Sequence, residues 1–107
     1  MRLDRHPAVV AEDLPRIYAF IAKDDNAAAE RVLWAIEATF AQLERQPASG
    51  VRYRSSNPDL RGVRMLPVSG FPEYLVFYKL EREAVRILYV LHGAQHLRAL
   101  FRRERRD

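Results

Sequence analysis

Basic side chains in the second half of the chain are the residues whose types could carry out chemistry. Arginines occur within residues 51–62 and in the segment that follows, and Lys79 and His92 come later. Arginine can stabilise charge that develops on a phosphate during RNA cleavage, and histidine can protonate the leaving oxygen. This interpretation gives one candidate catalytic set: Arg64, Lys79, Tyr89 and His92. In the alternative, the arginines form a solvated face and His92 hydrogen-bonds at a strand end, and the chain has no catalytic residues.

Other kinds of active site find no support in the sequence. It has no glycine-rich phosphate loop and no Ser/His/Asp order, and His92 and His96 stand four residues apart without an accompanying carboxylate. We therefore expect neither a metal nor a cofactor. The lack of cysteine fits a cytoplasmic protein. No apolar run approaches the roughly 20 residues of a membrane span, and no signal peptide is expected at the N-terminus.

Charge is distributed unevenly along the 107 residues. Residues 1–50 carry six basic and eight acidic side chains, whereas residues 51–107 carry twelve basic and six acidic ones. A basic second half favours an acidic partner, either a nucleic acid or an acidic protein segment. Arginine suits paired hydrogen bonds to phosphate or carboxylate, although a GC-rich genome would produce the same bias. The candidate target-binding residues are Arg52, Arg54, Arg61, Arg102 and Arg103.

Hydrophobic periodicity predicts two helices in the first half. The spacing from Val10 to Ile21 is helical, and Pro15 requires either a helix that begins at Pro7 and bends, or a restart with Asp13 as cap. A second helix is predicted from about Ala27 to Arg45, after a break at residues 24–26. The short break makes the two helices an antiparallel hairpin.

The second half predicts a β-meander. Strands are expected at Val63–Val68, Tyr74–Leu80 and Ala84–Leu91, after a polar loop over 51–62, and one or two helical turns are expected from His96. With an extended segment at Arg2–His6, the order is β-α-α-β-β-β. The fold class is α+β, with a helical hairpin packed on an antiparallel sheet and a short C-terminal helix. The chain is expected to form one domain over 1–107.

Apolar side chains outside the predicted core suggest a surface for a partner. Alternation in the last strand places Val85, Ile87, Tyr89 and Leu91 on one face, and Leu88 and Val90 on the other. Two helices cover only one face of a sheet, so either the C-terminal segment or a partner chain must cover the second. Trp34 lies off the apolar stripe of its helix. The candidate partner-binding residues are Leu88, Val90 and Trp34.

Three segments, taken in order, span nearly the whole chain. Residues 26–40 read NAAAERVLWAIEATF; residues 60–72 read LRGVRMLPVSGFP, with YLVFY at 74–78; and residues 87–94 read ILYVLHGA, with LRALF at 97–101. Together they resemble the ParE branch of the RelE/ParE toxin superfamily. Gln95 and His96 stand where this group usually has Arg-Asp.

The resemblance implies the fold described above and a cognate antitoxin that neutralises the toxin in a hetero-oligomer. ParE toxins act on DNA gyrase, whereas RelE-type relatives are ribosome-dependent mRNA endonucleases that use basic residues with a histidine or tyrosine. Three hypotheses stay open: a gyrase-inhibiting toxin without chemistry of its own, an mRNA endonuclease, and a degenerate member that is no longer toxic. The first is preferred, because the sequence does not supply the full basic set of a RelE-like nuclease.

Overall fold

Two helices and five strands make up the part of the chain that the computed structural model describes, which is residues 1–93 and Arg106. The predicted helical turns from His96, together with Arg102 and Arg103, lie outside the described residues. The elements in chain order are β1 (Arg2–Arg5), α1 (Leu14–Ala22), α2 (Asn26–Arg45), β2 (Val51–Arg52), β3 (Val63–Val68), β4 (Phe71–Leu80) and β5 (Ala84–His92).

The sheet is mixed, with the strand order β1-β5-β4-β3-β2. The four C-terminal strands pair antiparallel, as predicted for the meander, but β1 pairs parallel with β5. The expectation of a wholly antiparallel sheet is therefore wrong at this edge. The parallel pairing follows from the length of the connections. Hairpin links make β3, β4 and β5 antiparallel, whereas the long helical crossover after β1 permits a parallel neighbour. The two-residue β2 was not expected.

The first helix begins at Pro7 and contains a π-helical turn, Val9–Asp13, before α1. The N–H of Leu14 donates to the carbonyl of Val9, which is the wider spacing of a π-turn. Asp13 has helical backbone angles and its side chain caps nothing. Of the two alternatives, the helix that starts at Pro7 is therefore correct. Pro15 directly follows the π-turn, at the second residue of α1, and has no N–H to donate.

The second helix follows the prediction closely. Asp25 is its N-cap, and the carboxylate accepts a hydrogen bond from the N–H of Ala28 at 3.1 Å. The helix packs on the sheet through a buried stripe that includes Val32, Ile36 and Phe40. The side chains of this stripe join residues of α1 and of the near face of the sheet in the larger hydrophobic cluster.

A β-bulge in β5 changes which of its side chains face the helices. Phe77 pairs with Tyr89 but Tyr78 pairs with Ile87, so Leu88 is an extra residue and the alternation shifts by one. Val85, Ile87 and Val90 face the helices, whereas Leu88, Tyr89 and Leu91 belong to a second cluster on the far face. The sequence-based assignment of faces is therefore right as far as Leu88 and wrong after it, because period-two alternation does not anticipate a bulge.

Residues of the 51–62 loop cover part of the far face. Leu60 and Tyr53 pack in the second cluster, and the ring of Tyr53 meets that of Phe77 edge-on, with 5.3 Å between centroids. Arg106 also reaches this face, where its guanidinium lies 4.4 Å from the centroid of Tyr89. The sequence predicted a polar loop at 51–62, and two of its side chains nevertheless pack in the core.

Candidate functional site

A basic hollow lies where the 51–62 loop meets the edge of the sheet. It has a volume of about 680 Å³. Three predicted target-binding residues, Arg52, Arg54 and Arg61, line it together with Arg64, and the rest of its wall comes from Tyr53, Ser55, Ser56, Asn57, Pro58, Leu60, Gly62, Val63 and Leu80. The structure therefore brings together arginines that the sequence spreads over thirteen positions.

A buried tyrosine fixes the start of this loop. The hydroxyl of Tyr78 donates to the carbonyl of Pro47 at 2.9 Å and accepts from the N–H of Gly50 at 2.8 Å. Burial raises the pKa of Tyr78, so the hydroxyl stays protonated and can keep donating. A Cβ at Gly50 would lie 2.6 Å from that hydroxyl oxygen and 2.8 Å from the carbonyl oxygen of Met65, so only glycine fits.

The same anchor orients Arg64. Its Nη1 donates to the carbonyl of Gly50 at 2.8 Å, which ties a β3 side chain to the residue before β2. Further along the loop, the side chain of Asn57 accepts from the N–H of Asp59 at 3.0 Å and caps a 3₁₀ turn at Pro58–Leu60. Gly62 then has a φ of +82°, a conformation that glycine adopts without strain. Short-range hydrogen bonds thus shape the polar wall of the hollow.

The four residues of the candidate catalytic set are not assembled. Arg64 and His92 lie on the helix side of the sheet, whereas alternation places Lys79 on the far face, where Tyr89 also lies. Arg64 is paired with Tyr78 and His92 with Tyr74, so roughly 13 Å along β4 separates them, and a strand lies between. No single phosphate could contact a general acid at His92 and a charge stabiliser at Arg64.

His92 occupies a small hollow of its own. Its ring meets Tyr74 edge-on with 5.3 Å between centroids, and its buried Nδ1 has no hydrogen-bond partner among the described residues. The hollow has a volume of about 170 Å³, and its wall includes Arg16 and Phe20. Burial raises the pKa of Tyr74, and the nearby carboxylate of Glu73 raises it further. Within this described hollow, a protonated Tyr74 leaves His92 to serve as either base or acid, whereas cleavage of RNA needs both.

The three candidate partner-binding residues have different surroundings. Val90 is fully buried under the helices and Leu88 is buried in the second cluster. A contact with a partner through either side chain would require the residues that cover it to move. Trp34, in contrast, is 75% exposed, as its position off the helical stripe predicts. It lines a shallow apolar hollow of about 210 Å³ together with Tyr18, Leu33, Glu30 and Glu37.

A buried ion pair is the feature that sequence reasoning missed. The carboxylate of Asp13 is fully buried and accepts from both Nη atoms of Arg106 at 2.6 and 3.1 Å, from Nη2 of Arg16 at 2.9 Å, and from the N–H of Val90 at 3.0 Å. Arg106 also donates to the carbonyl of Leu88. The ion pair thus forms hydrogen bonds with the backbone of β5 at the bulge, where β1 has ended and no longer pairs with it. An aspartate two residues before a proline had suggested only a helix cap.

No group of three metal-ligating side chains occurs within residues 1–93 and Arg106. In the same part of the chain, no helix is long and apolar enough to cross a membrane.

Comparison with known proteins gives a family match and matches to solved structures. Residues 7–97 match the profile of a protein family described as the ParE toxin of the type II toxin–antitoxin system parDE. A solved structure of a chromosomal ParDE toxin–antitoxin system from P. aeruginosa aligns with a TM-score of 0.68 at 20% sequence identity, and the alignment covers 86% of this chain and 95% of that one. At this identity the second match bears on the fold alone. No curated protein sequence matches the chain.

Proposed function

Because the chain belongs to the ParE toxin family of type II toxin–antitoxin systems, we propose that a cognate antitoxin neutralises it and that it inhibits DNA gyrase by binding. Family membership supports the antitoxin as partner. Inhibition without a chemical step rests on the separation of the candidate catalytic residues, since Arg64 and His92 lie on one face and Lys79 and Tyr89 on the other. Binding needs only a shaped surface, and the basic hollow provides one through Arg52, Arg54 and Arg61.

A nuclease would have to meet three demands at one phosphate: removal of the 2′-hydroxyl proton, stabilisation of added charge, and protonation of the leaving oxygen. Of the candidate catalytic set, Arg64 suits the second task and His92 the third, and the two are roughly 13 Å apart along the sheet. This spacing disfavours the mRNA endonuclease. That function stays the second candidate because no described residue forms a hydrogen bond with the buried Nδ1 of His92.

Two assays with the purified toxin test this proposal. We expect gyrase supercoiling to fall while ribosome-bound mRNA stays intact, and we expect Arg52→Ala and Arg61→Ala to weaken inhibition. Variants at Arg102 and Arg103 test the rest of the predicted target-binding set and leave Arg106 in place. Arg82→Ala, in the exposed turn before β5, is the matched control.

His92→Ala separates the candidate functions. A gyrase-binding toxin keeps its inhibition when this variant folds, as judged by its circular dichroism. Cuts in mRNA at defined codons that disappear in His92→Ala would establish the endonuclease instead. A folded protein that affects neither supercoiling nor mRNA would be the degenerate member.

The antitoxin is proposed to bind mainly through apolar contacts that include Trp34. A buried aromatic anchor contributes roughly 1.5–3 kcal/mol, whereas an exposed ion pair contributes about 0–1 kcal/mol. The complex should therefore survive ~0.5 M salt, at which exposed charges are strongly screened. Trp34→Ala should weaken it by roughly 10- to 150-fold. Phe20→Ala is the control, because Phe20 is also an exposed aromatic but lines the other hollow, beside His92.

The neighbouring reading frame gives the partner to use in this experiment. Co-expression and co-purification of the two proteins should give a stable complex. Dissociation of that complex by ~0.5 M salt would show that charge, rather than apolar contact, dominates binding.

A further inference from the structure

The wall of the basic hollow contains an unusual run of side chains. Residues 52–57 read Arg-Tyr-Arg-Ser-Ser-Asn, and all six line the hollow. Arginine, serine, asparagine and tyrosine are among the side chains that supply most contacts to phosphate and sugar in protein–DNA complexes. Among the described residues that line the hollow there is no carboxylate. Asp59 belongs to the same loop but does not line the hollow.

The arginines of the hollow are close together, and the described carboxylates do not neutralise them. Arg52 lies directly opposite Arg64 in the register of β2 and β3. Like charges in directly opposed positions of antiparallel strands disfavour the pairing. Over residues 1–93, no carboxylate forms an ion pair with Arg52, Arg54 or Arg61. Repulsion between these arginines destabilises the fold, and a bound anionic ligand would relieve that repulsion.

Hydrogen bonds within the loop leave donors available. The Oγ of Ser55 accepts from the N–H of Asn57 at 3.1 Å, and the Oδ1 of Asn57 accepts from the N–H of Asp59 at 3.0 Å. The hydroxyl proton of Ser55 and the amide protons of Asn57 are thus the groups left for a ligand. Together with the guanidinium groups, they form a wall that donates hydrogen bonds, which suits a ligand that only accepts them.

We propose that the basic hollow binds the phosphodiester backbone of a nucleic acid, independently of base sequence. One small anion cannot neutralise four arginines spread over a hollow of about 680 Å³, whereas a backbone presents a charge at every nucleotide. This inference rests on the proposed function and deepens it: the backbone is that of the duplex DNA on which gyrase acts, and the toxin contacts DNA as well as enzyme.

Fluorescence anisotropy with a labelled DNA duplex of mixed sequence tests the inference, with the toxin free of antitoxin. The affinity is measured between 50 and 200 mM salt (roughly the range over which phosphate contacts are resolved). Each of Arg52→Ala, Arg54→Ala and Arg61→Ala should reduce the magnitude of the negative slope of log affinity against log salt by about 1. Arg82→Ala removes the same charge outside the hollow and should leave the slope unchanged. A duplex of different sequence should bind equally well.

Three results would overturn the inference: no binding of the duplex at 50 mM salt, slopes that do not respond to the hollow variants, or tighter binding of a polyglutamate peptide than of DNA. A single-stranded RNA of the same length distinguishes the sources of phosphodiester. Preference for RNA would support the hollow as a backbone site but contradict gyrase as target. Inhibition of supercoiling by a toxin that does not bind DNA would leave the proposed function standing and refute this inference alone.

Discussion

Replacing Asp13 by alanine tests whether the buried ion pair between Asp13 and Arg106 holds Arg106 against β5 and stabilises the fold. The change removes a fully buried carboxylate that has four donors, of which two belong to Arg106. It leaves the N–H of Val90 without its acceptor and the guanidinium of Arg106 without its carboxylate, although Arg106 can still donate to the carbonyl of Leu88. Breaking a buried pair from one side costs about 3–5 kcal/mol. Domains have a free energy of unfolding of about 5–15 kcal/mol, so we expect Asp13→Ala to lose a large fraction of this stability.

Arg106→Ala should cost less than Asp13→Ala. After that change the carboxylate of Asp13 still accepts from Arg16 at 2.9 Å and from the N–H of Val90 at 3.0 Å, and the side chain of Arg16 is 37% exposed and partly hydrated. We expect a loss of about 2–3 kcal/mol, which also includes the contact of the guanidinium with Tyr89. The double variant should lose less than the two single losses together, with a coupling energy of at least about 1.5 kcal/mol.

Urea unfolding, followed by circular dichroism, measures these free energies. Arg2→Ala is the matched control, because Arg2 and Asp4 form an ion pair of the same chemistry at 3.1 Å but on the surface. Exposed pairs contribute about 0–1 kcal/mol, so the control should change stability little. Losses below about 1 kcal/mol for both Asp13→Ala and Arg106→Ala, with no coupling, would refute the buried pair.

Three more predictions concern single side chains. Tyr78→Phe should lower the free energy of unfolding by about 1–3 kcal/mol, because the buried N–H of Gly50 loses its acceptor, and a loss under about 0.5 kcal/mol in the same urea titration would contradict the anchor. Trp34→Ala should change it by less than about 1 kcal/mol, and a loss of roughly 3 kcal/mol would show that α2 packs on two sides. Burial and the charges of Arg106 and Arg86 lower the pKa of His6, so the unfolded chain takes up a proton more readily below pH 6.5, and stability should fall as the pH drops through that range. His6→Asn should remove this part of the pH dependence, and an unchanged pH profile would argue against it.

The sequence predicted those parts of the fold that depend on local pattern. The stripe through Val32 and Ile36 defines one face of a helix at any position in a fold, and the aspartate at 25 caps it locally. The predicted ends of the hairpin strands lie within three residues of the observed ends. Gly70, with a φ of +81°, forms the turn between β3 and β4. Each of these features is determined by neighbours along the chain.

Features that depend on distant residues were missed. The bulge at Leu88 moved Val90 to the helix face, and no local pattern indicates where an extra residue enters a strand. The partner of Asp13 is 93 positions away, so its role as a buried acceptor could not be told from that of a cap. For the same reason, the distance between Arg64 and His92 could be known only from the register of the sheet, and this distance bears on the mechanism.

The basic hollow and the buried ion pair lie at different strands of the sheet, and this separation allows the proposed surface to be tested without disturbing the ion pair. The hollow is at β2 and β3, whereas Asp13 and Arg106 meet β5, which is three strands from β2 and thus roughly 14 Å away. Substitutions farther apart than about 7–10 Å, with no shared partner, act independently. Arg52 and Arg61 are exposed and form no ion pair within the described part of the chain, so alanine there should leave folding intact. Loss of nucleic-acid binding or gyrase inhibition in those variants therefore reports on the surface itself, whereas a loss in Arg106→Ala would first have to be separated from unfolding.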